Sequence, residues 1–512
     1  MASERLFPFP RATKTTSTPL SILDSTCARF ADTAPIWIFD PPSNGAVDDV
    51  FLDRLKSSFI STLNAFPQWA GQLHWAPLRP GGNHTERFNR AMITYGNDAD
   101  PGVGWGIIRH DITVESFVPD KAELLNGFWA GDAFPQDALL PQNKIALYNL
   151  KDYEGLSCML VQINLFECGG YAVGIRMAHP VADAQSMMVF VHQWAAECRG
   201  RLGAANSSSL FNEPIFDPPQ LDLHAAGDID ADAADEGILV TARALPLNRF
   251  SWWDTDAPGY SSRLVETTKN SIPPADILAS TTLSPSTTGP WSTWDLSKPV
   301  SFGLLHFTGQ ELDKLKKLAR QESTETSRLD ALLSHLFQRI TKARSPTQSP
   351  EGETSLDVTM DVRRRVSPPL PETFLGSPIL LTHIKSPASV IREASIGSLA
   401  LRLRRTMQQF TPDKVAAHLH DAAFEVSPQR LWLGFQGSLH VLVTSWQRLR
   451  LYEVDFEGTG VRPRFVHGAM PKSDGLLVVL DPVVEDGGVD VALHLDGEAT
   501  GRLLKEFRQS KI

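Results

Sequence analysis

His179 is the residue of this sequence best suited to acid–base chemistry, and it lies in the stretch Ala178-His179-Pro180-Val181-Ala182-Asp183. An imidazole has an ordinary pKa of about 6.5, so near neutral pH it can accept a proton and give it back. Pro180 restricts the residue before it to extended geometry, which would hold the imidazole in a fixed direction. A buried structural histidine beside a helix cap is the alternative interpretation of this stretch.

The sequence around His179 predicts a strand before it and a helix after it. Val173–Met177 alternates apolar with small or polar residues, as a strand with one buried face does. Met159–Leu165 alternates in the same way and is a candidate partner in a hairpin. Apolar residues recur at helical spacing over Met187–Cys198, and Asp183 can cap the first turn. His179 is therefore expected between a strand and a helix, where α/β proteins commonly place reactive side chains.

The composition describes an ordinary globular protein. The chain has 512 residues, of which 42% are hydrophobic and 21% charged, and its formal net charge is −11. That charge argues against binding to nucleic-acid phosphates, and no apolar run is long enough to span a membrane. Four cysteines without a CxxC spacing favour structural thiols over disulfides or zinc. We expect a soluble, cytoplasmic monomer without a metal, although the final Ser510-Lys511-Ile512 approximates the peroxisomal address Ser-Lys-Leu.

The rest of the chain mixes predicted helices and strands, which indicates α/β or α+β layers. A capping-box pattern opens a helix at Thr308, and Ser327 can cap another. Three stretches look irregular: Gly102–Gly106 is interpreted as an ordinary loop, Gly203–Gly237 as a linker or crossover, and Trp252–Pro299 as a long surface excursion. The sequence contains no phosphate-loop motif and no serine-hydrolase elbow.

Five motifs, in their order along the chain, resemble those of the BAHD acyltransferases, which move an acyl group from coenzyme A to an alcohol or amine. They are Leu20–Asp24 with Leu55–Phe59 and Phe66–Leu73, the HxxxD motif His179–Asp183, the helix Ser327–Arg344, Asp361–Arg365 with Gly376, and Thr444–Trp446 with Asp455–Gly460. Two positions depart from the family pattern. Ala184 replaces the glycine after HxxxD, and Asp-Phe-Gly-Trp-Gly is reduced to Asp-Phe-Glu-Gly-Thr-Gly. These departures and the inserted loops are similar to fungal rather than plant members.

The resemblance implies a mixed α/β (α+β) fold of two similar chloramphenicol acetyltransferase-like domains. Each domain would hold a mixed β-sheet with flanking helices, and an active-site tunnel would run through their interface. We assign residues 1–225, with HxxxD, to the N-terminal domain and residues 226–512, with the Asp-Phe-Glu-Gly-Thr-Gly variant, to the C-terminal domain. The segment around 385–430 is a candidate to pack with the N-terminal domain.

The candidate catalytic residues are His179, Thr444 and Trp446. By the resemblance, His179 would be the general base of a reaction without a covalent enzyme intermediate. Thr444 and Trp446 lie two apart on a predicted strand and therefore share one face, which by resemblance lines the tunnel. There the hydroxyl or the indole N–H would bind the oxyanion. A buried aromatic strand with a satisfied donor is the alternative.

The candidate structural residues near the site are Asp183, Arg363 and Asp455. By the resemblance, Asp183 would cap its helix and pair with an arginine, and a catalytic dyad with the histidine is the weaker alternative. We predict that Arg363 and Asp455 form an ion pair that joins two C-terminal segments and does no chemistry.

The predicted function is transfer of an acetyl or larger acyl group from acyl-coenzyme A to a hydroxyl or amine of a small, secondary-metabolite acceptor. Acyl-coenzyme A would be a co-substrate, and no permanently bound cofactor is expected. Two alternatives share the fold. A condensation-domain-like enzyme would use a carrier-bound donor, but such domains usually have a second histidine where this chain has Ala178. The second alternative is a catalytically inactive binding protein of the same fold, in which His179 would be dispensable.

Overall fold

The computed structural model describes residues 4–11, 14–43, 45–146, 150, 152–203, 208–344, 349–431, 434–509 and 512. Ser510 and Lys511 of the C-terminal tripeptide lie outside the described residues. Among the helices in these ranges, none is long and apolar enough to cross a membrane.

Strands from both halves of the chain form two large mixed sheets and one small sheet. The strands are β1 (Glu4–Leu6), β2 (Thr16–Pro19), β3 (Ala34–Phe39), β4 (Gln72–Trp75), β5 (Ala91–Tyr95), β6 (Val103–His110), β7 (Phe128–Ala130), β8 (Met159–Phe166), β9 (Tyr171–Met177), β10 (Val300–Phe307), β11 (Glu353–Asp361), β12 (Ile379–Pro387), β13 (His440–Ser445), β14 (Phe465–Ala469), β15 (Leu476–Leu480) and β16 (Val489–Asp496). The first sheet has the order β1-β6-β8-β9-β3-β14, the second β12-β11-β13-β15-β16-β10-β7, and the third β2-β5-β4.

Both large sheets contain parallel and antiparallel neighbours. In the first sheet β6 and β8 are parallel, and in the second β13 runs parallel to β11 and β15. Each sheet also ends in a strand from the other half of the chain, because β14 pairs with β3 and β7 pairs with β10. The two halves are therefore tied together by backbone hydrogen bonds, and the predicted mixed α/β fold is confirmed.

Helices cover the sheets and complete two main hydrophobic cores. They are α1 (Ile22–Thr26), α2 (Asp49–Thr62), α3 (Lys121–Leu125), α4 (Gln136–Leu139), α5 (Ala184–Gly200), α6 (Pro218–Asp222), α7 (Glu236–Arg243), α8 (Ser262–Thr268), α9 (Ala275–Ser280), α10 (Gly309–Ala319), α11 (Arg328–Ala343), α12 (Ala388–Glu393), α13 (Ile396–Gln408), α14 (Pro412–Ala423) and α15 (Gly497–Gln509). α2 and α5 pack on the first sheet, and α10, α11, α13 and α15 pack on the second. The capping box predicted at Thr308 and the cap predicted at Ser327 are present, and Ser327 forms a capping box with Asp330 as well.

The hairpin and helix predicted around His179 are confirmed. β8 and β9 pair antiparallel. The single buried face predicted for them is wrong, because every residue of β8 and all but Arg176 of β9 are buried. Asp183 begins α5 as its N-cap, and its carboxylate accepts the backbone N–H of Ser186 at 2.9 Å. On the far side of the helix, Trp194 packs edge-on against Phe59 at 5.1 Å. Burying such large side chains stabilises the fold by about 1.5–3 kcal/mol each. The hairpin before the His179 turn and the helix after it are therefore both held in the core.

The glycines at Gly102–Gly106 do not form a loop, and that prediction is wrong. Val103–Gly106 belongs to β6, between β1 and β8. A Cβ built on Gly104 would lie 2.5 Å from Cδ2 of Leu160 on the neighbouring strand. The glycine therefore makes room for a close neighbour in the sheet rather than for a turn.

The stretch Trp252–Pro299 is more than the surface excursion predicted from its composition. Trp252 and Trp291 are buried, and both pack against Phe435, with ring centroids 5.6 and 4.9 Å away. The high content of serine, threonine and proline favoured an exposed loop, but two of its tryptophans are buried against Phe435, which lies more than a hundred residues further along the chain. It forms a wall of the cavity described next.

Candidate active site

His179 lies in a short 3-10 turn, His179–Val181, between the end of β9 and the start of α5. Its side chain lines a cavity of about 570 Å³ that is enclosed by segments from both halves of the chain. Thr33 and Asp183 come from the first half, and Thr444 comes from the end of β13. The fold therefore brings His179 and the predicted oxyanion-binding strand to one cavity.

The cavity is mostly apolar, with a few charged groups. Its apolar lining includes Phe30, Trp252, Leu264, Trp294, Leu296, Met360, Ile379, Leu381, Leu442, Leu449, Met470 and Leu476. The lining also carries the positive charges of Arg29, Arg263, Arg363 and Lys472 and the carboxylates of Asp32, Asp183 and Asp361. An apolar chamber with a small number of placed polar groups is typical of a site for a small organic molecule.

Ser377 orients the imidazole of His179. Ser377 Oγ lies 3.1 Å from His179 Nδ1, and its O–H donates to the carbonyl oxygen of His179. Because the hydroxyl proton is used on that carbonyl, Oγ must accept from Nδ1–H, and this tautomer leaves Nε2 without a proton. Nε2 is then the basic nitrogen. The sequence analysis did not identify Ser377. The only signal for it was its position directly after Gly376, which belongs to the motif Asp361–Arg365 with Gly376.

Gly376 lets Ser377 reach the histidine. Its φ is +126°, and a Cβ there would lie 2.7 Å from Oδ1 of Asp24, so only glycine fits this position. Asp24 accepts the N–H of Ser377 at 2.5 Å and the N–H of Ser21 at 3.0 Å. Burial raises the pKa of Asp24 to about 7, against the hydrogen bonds that lower it. A buried carboxyl group thus anchors the segment that holds His179.

The electrostatic environment keeps His179 neutral. Burial lowers the pKa of His179 below its ordinary value, because the cavity solvates an imidazolium less well than water does. The negative charge of Asp183 acts in the opposite direction but does not reverse the shift. A neutral imidazole near physiological pH is the form that a general base needs.

Asp183 is engaged in structure rather than aimed at the imidazole. Its two carboxylate oxygens receive both terminal nitrogens of Arg363, at 2.7 and 3.1 Å, in addition to the helix-cap hydrogen bond from Ser186. Arg363 also donates to the carbonyl of Phe374 and is 2% exposed. The predicted cap and arginine partner are both confirmed.

The predicted ion pair between Arg363 and Asp455 is wrong. Arg363 pairs with Asp183 and, at 3.2 Å, with Asp361. Two carboxylates close to one buried guanidinium balance its charge. Arg363 therefore joins the HxxxD turn to the second half of the chain through its ion pair with Asp183.

Thr444 and Trp446 both line the cavity, as the family resemblance implied, but Ser445 between them lines it too, so the predicted division of these residues between two strand faces is wrong. Thr444 is the next-to-last residue of β13, and Trp446 follows the strand directly. Trp446 is 4% exposed, and its ring lies over Gly468, where a Cβ would approach the ring atoms to 3.2 Å. The tertiary structure therefore places a hydroxyl group and an indole on the wall that also includes His179.

The sequence profile of the Transferase family matches residues 130–237 and 284–509 of this chain, which is more than half of it. The chain belongs to this family, the BAHD acyltransferases. Acyltransferase AFT15-1 of Alternaria alternata is 28% identical over 544 aligned residues, which cover 99% of this chain and 98% of that protein.

Solved structures agree in fold with this BAHD family member. Vinorine synthase superposes with a TM-score of 0.63 at 17% identity, covering 99% of this chain and 97% of that one. Fusarium graminearum TRI101, in complex with ethyl coenzyme A, superposes with a TM-score of 0.62 at 15% identity and covers 96% and 97%. At these identities the likeness establishes the two-domain fold.

The variant motif Asp455–Gly460 of this BAHD family member forms a compact turn away from the cavity lining. The Asp455 carboxylate accepts the N–H groups of Glu457, Gly458 and Gly460 at 2.8 to 3.0 Å. Phe456 is fully buried and packs against Trp194 of α5 at 4.7 Å. Asp455 thus organises its own loop, which explains why it does not reach Arg363.

Proposed function

We propose that this BAHD family member transfers an acyl group from acyl-coenzyme A to a hydroxyl or amine of a small molecule, with His179 as the general base. The observation that carries the proposal is the contact of Ser377 with Nδ1 and the carbonyl of His179, inside a cavity shared by both halves of the chain. That contact selects the tautomer in which Nε2 can take a proton.

The reaction needs only one acid–base residue. As the acceptor attacks the thioester carbonyl carbon, its O–H or N–H proton passes to Nε2 of His179 and an oxyanion forms. The C–S bond then breaks, and the imidazolium returns the proton to the thiolate of coenzyme A. General acid–base catalysis of this kind raises the rate roughly 10²–10⁴-fold. Because the pKa of His179 is lowered, its imidazolium is a stronger acid and gives up the proton more readily.

The oxyanion is assigned to the wall formed by Thr444 and Trp446. Both residues line the cavity with His179, and Thr444 is partly exposed there. A hydroxyl or indole N–H that donates to the developing charge typically contributes about 10²–10³-fold. Asp183 and Arg363 belong to the supporting structure in this proposal.

The donor assignment draws on relatives of the same fold. The TRI101 structure holds ethyl coenzyme A, and its chain aligns with nearly all of this one. The mostly apolar cavity lining suits an acceptor with an apolar body. Acyl-coenzyme A would enter as a co-substrate, and free coenzyme A would leave as a product.

The domain assignment stays a proposal as well. We assign 1–225 and 226–512 to the two domains, joined through the crossover at Gly203–Gly237. α14, within the 385–430 segment, packs Ala422 and Ala423 against Ile22 of α1, which supports the exchange predicted for that segment. We likewise propose that the protein acts in the cytoplasm as a monomer.

The test follows free thiol while the purified protein is incubated with acetyl-coenzyme A and a panel of alcohols and amines. We expect His179→Ala to lose activity by about 10²–10⁴-fold while keeping the circular dichroism spectrum of the parent. The matched control is His110→Ala, because His110 is a partly buried histidine on β6 that bonds Asn164 at 2.8 Å and does not line this cavity.

A His179→Ala rate above about a tenth of wild type would remove His179 from the mechanism, given the factor expected of a base. Transfer from a carrier-bound donor but not from coenzyme A would favour the condensation-type alternative. Binding of acceptors with no thiol release from any donor would favour a binding protein.

A further inference from the structure

Arg29 lines the same cavity as His179, and within the described residues no carboxylate forms an ion pair with it. It ends the 3-10 turn Cys27–Arg29, which packs against the His179–Val181 turn. Its side chain therefore adds a positive charge to the cavity in which the candidate base lies.

The contacts of Arg29 are all with neutral groups. Its guanidinium carbon lies 3.7 Å from the centroid of the Trp252 ring, and Nη2 donates to Oγ1 of Thr268 at 3.3 Å. Nη1 is buried and has no hydrogen-bond partner within the described part of the chain. Burial lowers the pKa of Arg29 to about 10, and the hydroxyl of Tyr260 opposes this shift through its charge and through a hydrogen bond with the arginine.

Other arginines of this chain have their charges or donors satisfied. Arg363 meets two carboxylates, and Arg430 donates to Glu425 at 2.6 Å. Arg90 has no carboxylate in contact among the described residues, but its nitrogens donate to backbone carbonyls, including those of Phe88 and Ala423. Arg29 is partly exposed to the cavity, and a charge in a mostly apolar wall is costly without a counter-charge, so an anion in the cavity would complete this site.

We propose that Arg29 binds a carboxylate carried by one of the two substrates in this cavity. This inference rests on the proposed function. The phosphates of coenzyme A are shared by every donor, so a comparison of substrates with and without a carboxylate separates the two kinds of anion. Trp252 and Leu264 on the same wall suit the apolar body of such an acid. The substrate is thus an amphipathic acid: a hydroxy or amino acid as acceptor, or a dicarboxylic acyl group on the donor.

The experiment compares Arg29→Met with a matched control. Arg87→Met is that control, because Arg87 is a partly buried arginine stacked on Phe424 at 4.3 Å and lies outside the cavity lining. Acceptors are 3-phenyllactate and its methyl ester, and donors are acetyl-coenzyme A and malonyl-coenzyme A. We expect Arg29→Met to raise the KM of the carboxylate-bearing substrate by about 10- to 100-fold, the range of one charge-assisted hydrogen bond. The KM of its neutral counterpart should be unchanged.

The pattern of losses locates the carboxylate. A loss for phenyllactate but not for its ester places it on the acceptor, and a loss for malonyl but not acetyl transfer places it on the donor. Equal losses for all substrates, or none, would overturn the proposal.

Binding of 3-phenyllactate and of malonyl-coenzyme A to the His179→Ala protein, measured by calorimetry, keeps this result separate from the catalytic one. Arg29→Met in that background should abolish binding of the carboxylate-bearing compound even if no transfer is catalysed.

Discussion

Removing either member of the Asp183–Arg363 ion pair should destabilise the folded protein by about 3–5 kcal/mol, the usual cost of stranding one partner of a buried pair. Arg363 is 2% exposed, and the pair is bidentate, with N–O distances of 2.7 and 3.1 Å. The suitable changes are Asp183→Asn and Arg363→Met. Asparagine keeps the helix cap and removes the charge, so its effect reports on the pair.

The two effects should not add. In the double variant neither charge is left alone, so the total loss should fall short of the sum by about 1–3 kcal/mol. The residual loss comes from the hydrogen bonds of Arg363 to the Phe374 carbonyl and the Ser186 hydroxyl. Asp361, which is half-exposed at 3.2 Å from Arg363, should soften the effect of changing Asp183 alone.

The measurement is a double-mutant cycle by urea unfolding, followed by tryptophan fluorescence and circular dichroism. The matched control cycle pairs Arg363→Met with Asp455→Ala. Asp455 bonds only backbone groups of its own loop in the contacts described above, so these two changes should add within about 0.5 kcal/mol. Additivity in the Asp183 cycle, or strong coupling in the Asp455 cycle, would refute the pairing.

Two further predictions concern pH. Because burial lowers the pKa of His179, most of its imidazole is neutral at pH 6.5, and the acid limb of log kcat/KM should inflect below that ordinary value; an inflection above it would contradict the assignment. Asp24 has a folded pKa of about 7 against an ordinary 3.8, so its protonated form stabilises the fold below about pH 3.8 and that stabilisation is lost as pH rises to about 7. Relative to Asp24→Asn, the wild type should therefore lose stability over this window in pH-dependent urea unfolding, and a constant difference between the two would refute it.

Local sequence patterns predicted the elements next to the site correctly. The strands β8 and β9, the Asp183 cap, the capping box at Thr308 and the cap at Ser327 are all present. These features depend on residues within one turn or one pleat of each other, where spacing alone decides which side chains share a face. The spacing of Thr444 and Trp446 was a weaker guide, because Trp446 lies beyond the end of β13 and Ser445 lines the cavity as well.

The sequence by itself determined the strand–turn–helix around His179, because each residue there is positioned by near neighbours. Only the tertiary structure decided which distant groups meet it. Arg363 finds Asp183, 180 residues away, and Ser377 finds the imidazole, 198 residues away. Trp252, in a stretch predicted to lie on the surface, covers Arg29. Such pairings follow from how two sheets dock and exchange edge strands, and side-chain spacing carries no information about that docking.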